Sequence, residues 1–97
     1  MASVEYSARA LADLERLTAF LLEVDPANAI GTASLILDAL DLLCSHPLVG
    51  RPVQQGLREL VISRGRTGYV ALYKFDEVSD RITVHAIRHQ REAGYAL

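Results

Sequence analysis

The sequence predicts an α+β layer fold: an N-terminal strand, an α-helical hairpin, then a three-stranded antiparallel meander, with the helices packed on one face of one sheet. Two observations carry that prediction. Apolar residues in the first half recur every three or four positions, the period of a helix with one buried face. In the second half the period drops to two, that of a strand whose side chains alternate between faces. The length then bounds the architecture. At 97 residues the chain has the size of one domain, spanning 1–97, and it carries neither repeats nor linkers.

The elements follow in order. SVEY alternates apolar and polar residues and reads as a strand from Ala2 to Tyr6. Ser7 is a natural N-cap, with a hydroxyl that accepts from an amide of the first helical turn. Ala10, Leu14, Leu17, Leu21 and Val24 then form the apolar stripe of a first helix. Asp25-Pro26 ends that helix and starts the next, since proline suits the first helical position. The second helix runs from about Pro26 to Ser45, with Ile30, Ala33, Leu37, Leu40 and Cys44 on its stripe and Asp38 and Asp41 on its wet side. Leu14, Leu21, Leu37 and Leu40 are therefore expected in the core. With almost no connection between them, the two helices form an antiparallel hairpin. His46 to Gly56 is a loop with two prolines and two glycines. Strands follow from Arg58 to Ser63, Gly68 to Asp76 and Arg81 to Arg88, and the tail QREAGYAL reads as a turn.

Composition removes several function classes. Apolar residues are 51% and charged residues 23% of the chain, the balance of a globular protein. The longest charge-free stretch, Pro26 to Leu37, is interrupted by Asn28, Thr32 and Ser34, and falls short of the roughly 20 apolar residues of a membrane span. The segment MASVEYSARALADLERL has no apolar signal core, so a cytoplasmic protein is expected. One cysteine, Cys44, excludes an internal disulfide and a multi-cysteine zinc site. His85 and His89 stand four residues apart on a strand, about 13 Å, too far to share an ion. The glycines of SRGRTG lack the lysine and following helix of a phosphate loop. No cofactor or metal is expected.

Charge is unevenly placed. Residues 1–50 hold two arginines against seven acids, a balance of −5, while residues 51–97 hold eight basic residues against five acids, a balance of +3. Such polarity suits an anionic partner. The basic and aromatic residues gather at two places: Arg64 and Arg66 in the turn, and Arg88, His89, Arg91 and Tyr95 near the chain end. Together they can hold phosphate and move protons on RNA, or serve as anchors of a protein interface. The sheet adds a second signal. In the strand Gly68 to Asp76, Val70 and Leu72 share one face with Lys74, and Tyr69, Ala71, Tyr73 and Phe75 share the other. Strict alternation in the last strand puts His85, Ile87 and His89 together. Only one face can rest on the helices, so an apolar open face calls for a partner.

The segments YSARALADLERL, HPLVGRP, RELVI, GYVALYKF and ITVHAIRHQREAGY together resemble the RelE/ParE superfamily of toxins from bacterial type II toxin–antitoxin (plasmid stabilisation) systems. The resemblance implies a growth-arresting toxin neutralised by a cognate antitoxin laid over the open face, at Val70, Leu72, Lys74, His85 and Ile87. It leaves a heterotetramer and a homodimer both open as assemblies. RelE-like members cleave mRNA on the ribosome with lysines on the first meander strand, an arginine directly after a Gly-Tyr pair, and a late arginine and tyrosine. In this sequence the strand has no lysine, Val70 follows Gly68-Tyr69, and the late positions fall on His89, Arg91 and Tyr95, the catalytic candidates under that reading. ParE-like members, which share RELVI and the pattern His89-Gln90-Arg91, are regarded as inhibitors that bind DNA gyrase. The sequence favours this non-enzymatic reading, with Arg64, Arg66, Arg88, His89 and Arg91 expected at the target.

Overall fold

A computed structural model of the protein describes residues 1–64 and 67–91. In chain order the elements are β1 (Ser3–Tyr6), α1 (Ala8–Val24), α2 (Pro26–Asp41), a 3-10 turn (Leu42–Cys44), β2 (Arg51–Pro52), a second 3-10 turn (Gln54–Gly56), β3 (Arg58–Arg64), β4 (Thr67–Asp76) and β5 (Arg81–His89). The five strands make one mixed sheet in the order β1-β5-β4-β3-β2. β1 lies parallel to β5 and every other pairing is antiparallel. The helical hairpin packs on one face, so the α+β layer fold and its meander stand as expected.

The packed face is the one bearing Tyr69, Ala71 and Tyr73 of β4. With Ile62, Ile82, Val84 and Ile87 they meet Ala10, Leu17, Ile36, Leu40 and Leu43 from the helical layer. Burying such side chains supplies most of the driving force, roughly 1.5–3 kcal/mol for each large one. α1 is also tied down by hydrogen bonds. β1 ends where Tyr6 pairs with Val84, which leaves the outer edge of β5 without a strand beside it. α1 supplies the missing partners. The Ser7 hydroxyl accepts from the Ala10 amide at 3.0 Å and donates to the His85 carbonyl at 3.0 Å. Asp13, almost fully buried, accepts from the Ile87 amide at 2.9 Å.

Three sequence expectations need correction. The stripe of α2 is rotated: Ala29, Thr32, Ile36 and Leu40 are its buried residues, whereas Ile30 is 76% and Leu37 40% exposed. α2 is apolar nearly all round, so its period does not single out the buried side. Extended by its 3-10 turn, it even has the length and apolarity of a spanning helix over Pro26–Cys44; its packing on α1 and the sheet accounts for that apolarity. Val24, at the end of α1, is likewise exposed.

The second correction concerns β5. Leu72 pairs with Ala86 and Tyr73 with Val84, so His85 is an extra residue, a bulge. A bulge reverses the alternation beyond it. Ile87, expected on the open face, is therefore turned into the core, and Ala86 takes its place outside. The third correction is β2, read as loop. Its two residues pair as Arg51↔Glu59 and Pro52↔Arg58, and Pro52 suits an edge because it has no amide to offer.

The loop before β2 is firmly held. The buried Tyr73 hydroxyl donates to the Pro47 carbonyl at 2.8 Å and accepts from the Gly50 amide at 2.9 Å. Arg58 donates to the carbonyls of Leu48 and Gly50 at 3.0 and 2.7 Å. A Cβ at residue 50 would lie 2.7 Å from the Tyr73 ring and 2.8 Å from the Glu59 carbonyl, which only glycine avoids. Burial pushes the Tyr73 hydroxyl above its ordinary pKa, so it remains a neutral donor.

Candidate functional site

The start of β4 and the end of β5 meet at one corner of the sheet, where Tyr69 stands opposite His89 and Val70 opposite Arg88. Several residues expected at a target therefore share this corner, but the bulge divides them between its two faces. Val70 and Arg88 belong to the open face. His89 is turned to the helix side, its ring edge-on to buried Tyr69 with centroids 5.2 Å apart and planes at 84°. Gly68 lies tight against this corner: its carbonyl accepts from the Gln90 amide at 2.9 Å, and a Cβ at residue 68 would run into the Gln90 side chain.

The polar atoms of the corner largely serve its own backbone. Arg88 donates to the carbonyls of His89 and Gln90 at 3.2 and 3.3 Å. The Nδ1 of His89 accepts from the Arg91 amide at 3.0 Å, which places the hydrogen of the neutral ring on Nε2. Both contacts shape the turn after β5. Arg91 itself is exposed. Arg66 and Tyr95 lie outside the described residues, and only the backbone of Arg64 is described, at the end of β3.

The open face around Val70 can be read from its register. Val70 stands opposite Val61 and Leu72 opposite Glu59, so the described open-face positions of β3 carry an acid and an aliphatic residue. Glu59 is bound by Arg51 at 2.7 Å. Val70 is only 4% exposed and Ala86 is also buried, so this part of the sheet is already covered within the chain. Val61 remains open. The face is thus less bare than the sequence implies.

Toward the turn between β4 and β5 the same face becomes concave and polar. A cleft of about 620 Å³ is lined by Glu5, Lys74, Arg81, Thr83 and the bulged His85, among others. Lys74 and His85, both expected at a partner surface, meet here. Opposite charges are interleaved, with Arg81 3.4 Å from Glu5. At its rim the Asp76 carboxylate accepts from the amides of Ser79 and Val78, which hold its pKa below the usual carboxylate value. Across the sheet, burial and the nearby Asp41 charge raise the Tyr6 hydroxyl. Asp13 is a polar position that the apolar pattern of α1 does not flag, although an acid between Ala10, Leu14 and Leu17 is the trace such a buried carboxylate leaves.

This chain is similar to known proteins along most of its length. The family model of the ParE toxin of type II toxin–antitoxin systems, of the parDE kind, matches residues 4–94. Toxin RelE3 of Caulobacter vibrioides is 38% identical over 92 residues, which cover 95% of this chain and 98% of that protein. Toxin RelE1 of the same organism is 37% identical over 84% of this chain and 87% of its own. The fold resembles a chromosomal ParDE toxin–antitoxin structure from P. aeruginosa, with a TM-score of 0.75 at 22% identity, covering 90% of this chain and 94% of the other. It also resembles a RelBE2 toxin–antitoxin complex from Mycobacterium tuberculosis, at a TM-score of 0.54 and 24% identity, over 92% and 98% of the two chains. By the family model and by these relatives, the chain belongs to the ParE family of toxins of type II toxin–antitoxin systems, within the RelE/ParE superfamily.

Proposed function

We propose that this toxin acts by binding DNA gyrase and not by cleaving RNA, and that a cognate antitoxin neutralises it in the cytoplasm. One observation carries the choice. Cleavage of RNA by its own 2′-hydroxyl needs an acid, a base and charge stabilisation of the phosphorane in one pocket. The described open face around Val70 offers Glu59, Val61, Leu72 and Ala86, which cannot stabilise added negative charge. The side chains nearest that corner, Arg88 and His89, are engaged with the backbone of the turn. Losing one such donor typically costs about 10²–10³ in rate, and several are missing from these positions. The exposed Arg91, with Arg64 and Arg66, is the surface proposed to meet gyrase. The likeness to solved toxin–antitoxin complexes supports an antitoxin partner, proposed to cover Val61, Leu72, Lys74 and His85 on the open face.

The names of the two Caulobacter relatives keep a RelE-like ribonuclease as the competing reading. Expression of the chain under a tight promoter decides between them. The expected result is growth arrest with loss of gyrase supercoiling by the purified protein, and no new ends in ribosome-bound mRNA. Codon-specific cuts removed by His89→Ala or Tyr95→Phe would overturn the proposal.

A further inference from the structure

The first turn of α1 contains an arginine in the wrong place. Arg9 is the second residue of the helix, and no acid stands in that turn. The amino end of a helix carries partial positive charge, so a cation there is repelled. The guanidinium is also poorly satisfied. Its Nε and one Nη are fully buried and find no acceptor among the described residues. Buried charged donors are normally paired, because burying one without an acceptor forfeits its hydration for nothing. The other arginine of the first half, Arg16, is accounted for: it lies 3.7 Å from Asp13. Asp13 in turn spends an oxygen on the Ile87 amide. Arg9 thus combines two unused donors with an unfavourable potential, and an incoming anion would relieve both.

The surroundings select the kind of anion. A nucleic acid is gripped by several cations acting together on successive phosphates. The first half of this chain offers two arginines against seven acids, one of those arginines already taken, so it repels a polyanion. Beside Arg9 on α1 lie Ala8, Leu11 and Ala12, all exposed. A lone carboxylate flanked by apolar side chains fits this setting. We propose that Arg9 is the receptor for one carboxylate of the antitoxin, an aspartate or glutamate side chain or the chain end, which completes its hydrogen bonds as the antitoxin docks along the first turns of α1. The inference rests on the antitoxin reading above and adds the residue and the chemistry that would select the partner.

The test uses the full chain and the antitoxin encoded beside it. Arg9→Met retains the aliphatic stem and removes the charge. It should weaken antitoxin binding at least about tenfold, mainly through faster dissociation, as loss of one member of a buried charge pair does. The melting temperature of the isolated toxin should hold or rise, because an unpaired buried cation has been removed. Neutralising the acids of the antitoxin one at a time should find one whose loss matches that of Arg9→Met and adds nothing to it in the double variant. Binding that stays within twofold in Arg9→Met would overturn the assignment and leave the antitoxin reading intact. A fall in the melting temperature of the isolated toxin would make Arg9 a structural residue and overturn it equally. Failure of the unaltered chain to bind the antitoxin would overturn both readings.

Discussion

The two helices of the hairpin are nearly equal in length, 17 and 16 residues, yet they are held on the sheet in opposite ways. α1 is fastened by polar groups at fixed points: the Ser7 hydroxyl on the His85 carbonyl and the Asp13 carboxylate on the Ile87 amide. These contacts stand in for a strand that β5 lacks beyond Tyr6, so their positions follow from the strand edge. α2 rests on shape. Ala29 lets it approach closely, and Ile36, Leu40 and Leu43 fill the space over the sheet. A polar fastening specifies one rotation of a helix, because any other leaves a buried amide unpaired. An apolar contact on a helix that is apolar all round specifies much less.

Substitution should separate the two modes. The largest effect belongs to the apolar side. Leu40→Ala, at a site with no exposure, should cost about 2–5 kcal/mol through lost transfer energy and the cavity left behind. Urea unfolding would show a lower midpoint with little change in slope. A midpoint that did not move would mean that α2 does not pack through this residue.

The polar fastenings come next. Asp13→Ala removes the acceptor from the buried Ile87 amide and should cost about 1–3 kcal/mol. Hydrogen exchange at Ile87 should accelerate more than global stability falls, since the edge of β5 opens locally. Equal protection in the variant would show that the carboxylate is not the partner of that amide. Ser7→Ala removes both a helix cap and the bond to His85, and about 0.5–2 kcal/mol is expected. Its Gly counterpart, which is a tolerable cap but has no hydroxyl, divides the loss between those two roles.

The same contrast explains what could be read from the sequence. Ser7 and the Asp25-Pro26 junction are chemical signals with fixed meaning, and both appear where they were read; Ser7 caps α1 and Pro26 opens α2. The period-two strands β3, β4 and β5 are also legible, because alternation is hard to imitate by chance. The side of α2 is not legible, since Ile30, Leu37 and Leu40 are equally apolar and only the fit against α1 and the sheet distinguishes them. The bulge at His85 is hidden for a related reason. One inserted residue leaves no mark in a strand that is apolar on both faces, yet it moves Ile87 and His89 across the sheet. Of the candidate site, the residues were legible and their faces were not. Arg9 and Asp13 were read as ordinary members of a solvated helix, because nothing local records that a strand edge lies against that turn.

The smallest effect tests the least legible position. Leu37 lies three residues before Leu40 and is 40% exposed. Its side chain stays largely in water in the folded state, so truncation removes little burial and leaves no closed cavity. Alanine is also the better helix former, which offsets part of what is lost. Leu37→Ala should therefore change stability by about 0.5 kcal/mol or less, as surface substitutions do. Antitoxin binding offers a second readout, because an exposed leucine on the outer side of the hairpin can matter to a partner while contributing nothing to the isolated fold. Parallel urea titrations of Leu37→Ala and Leu40→Ala, at the same pH and salt, make the comparison direct. Equal losses would mean that α2 is rotated toward the stripe read from its sequence, with Ile30 and Leu37 turned to the sheet. A loss confined to Leu40 fixes the rotation seen in the structure.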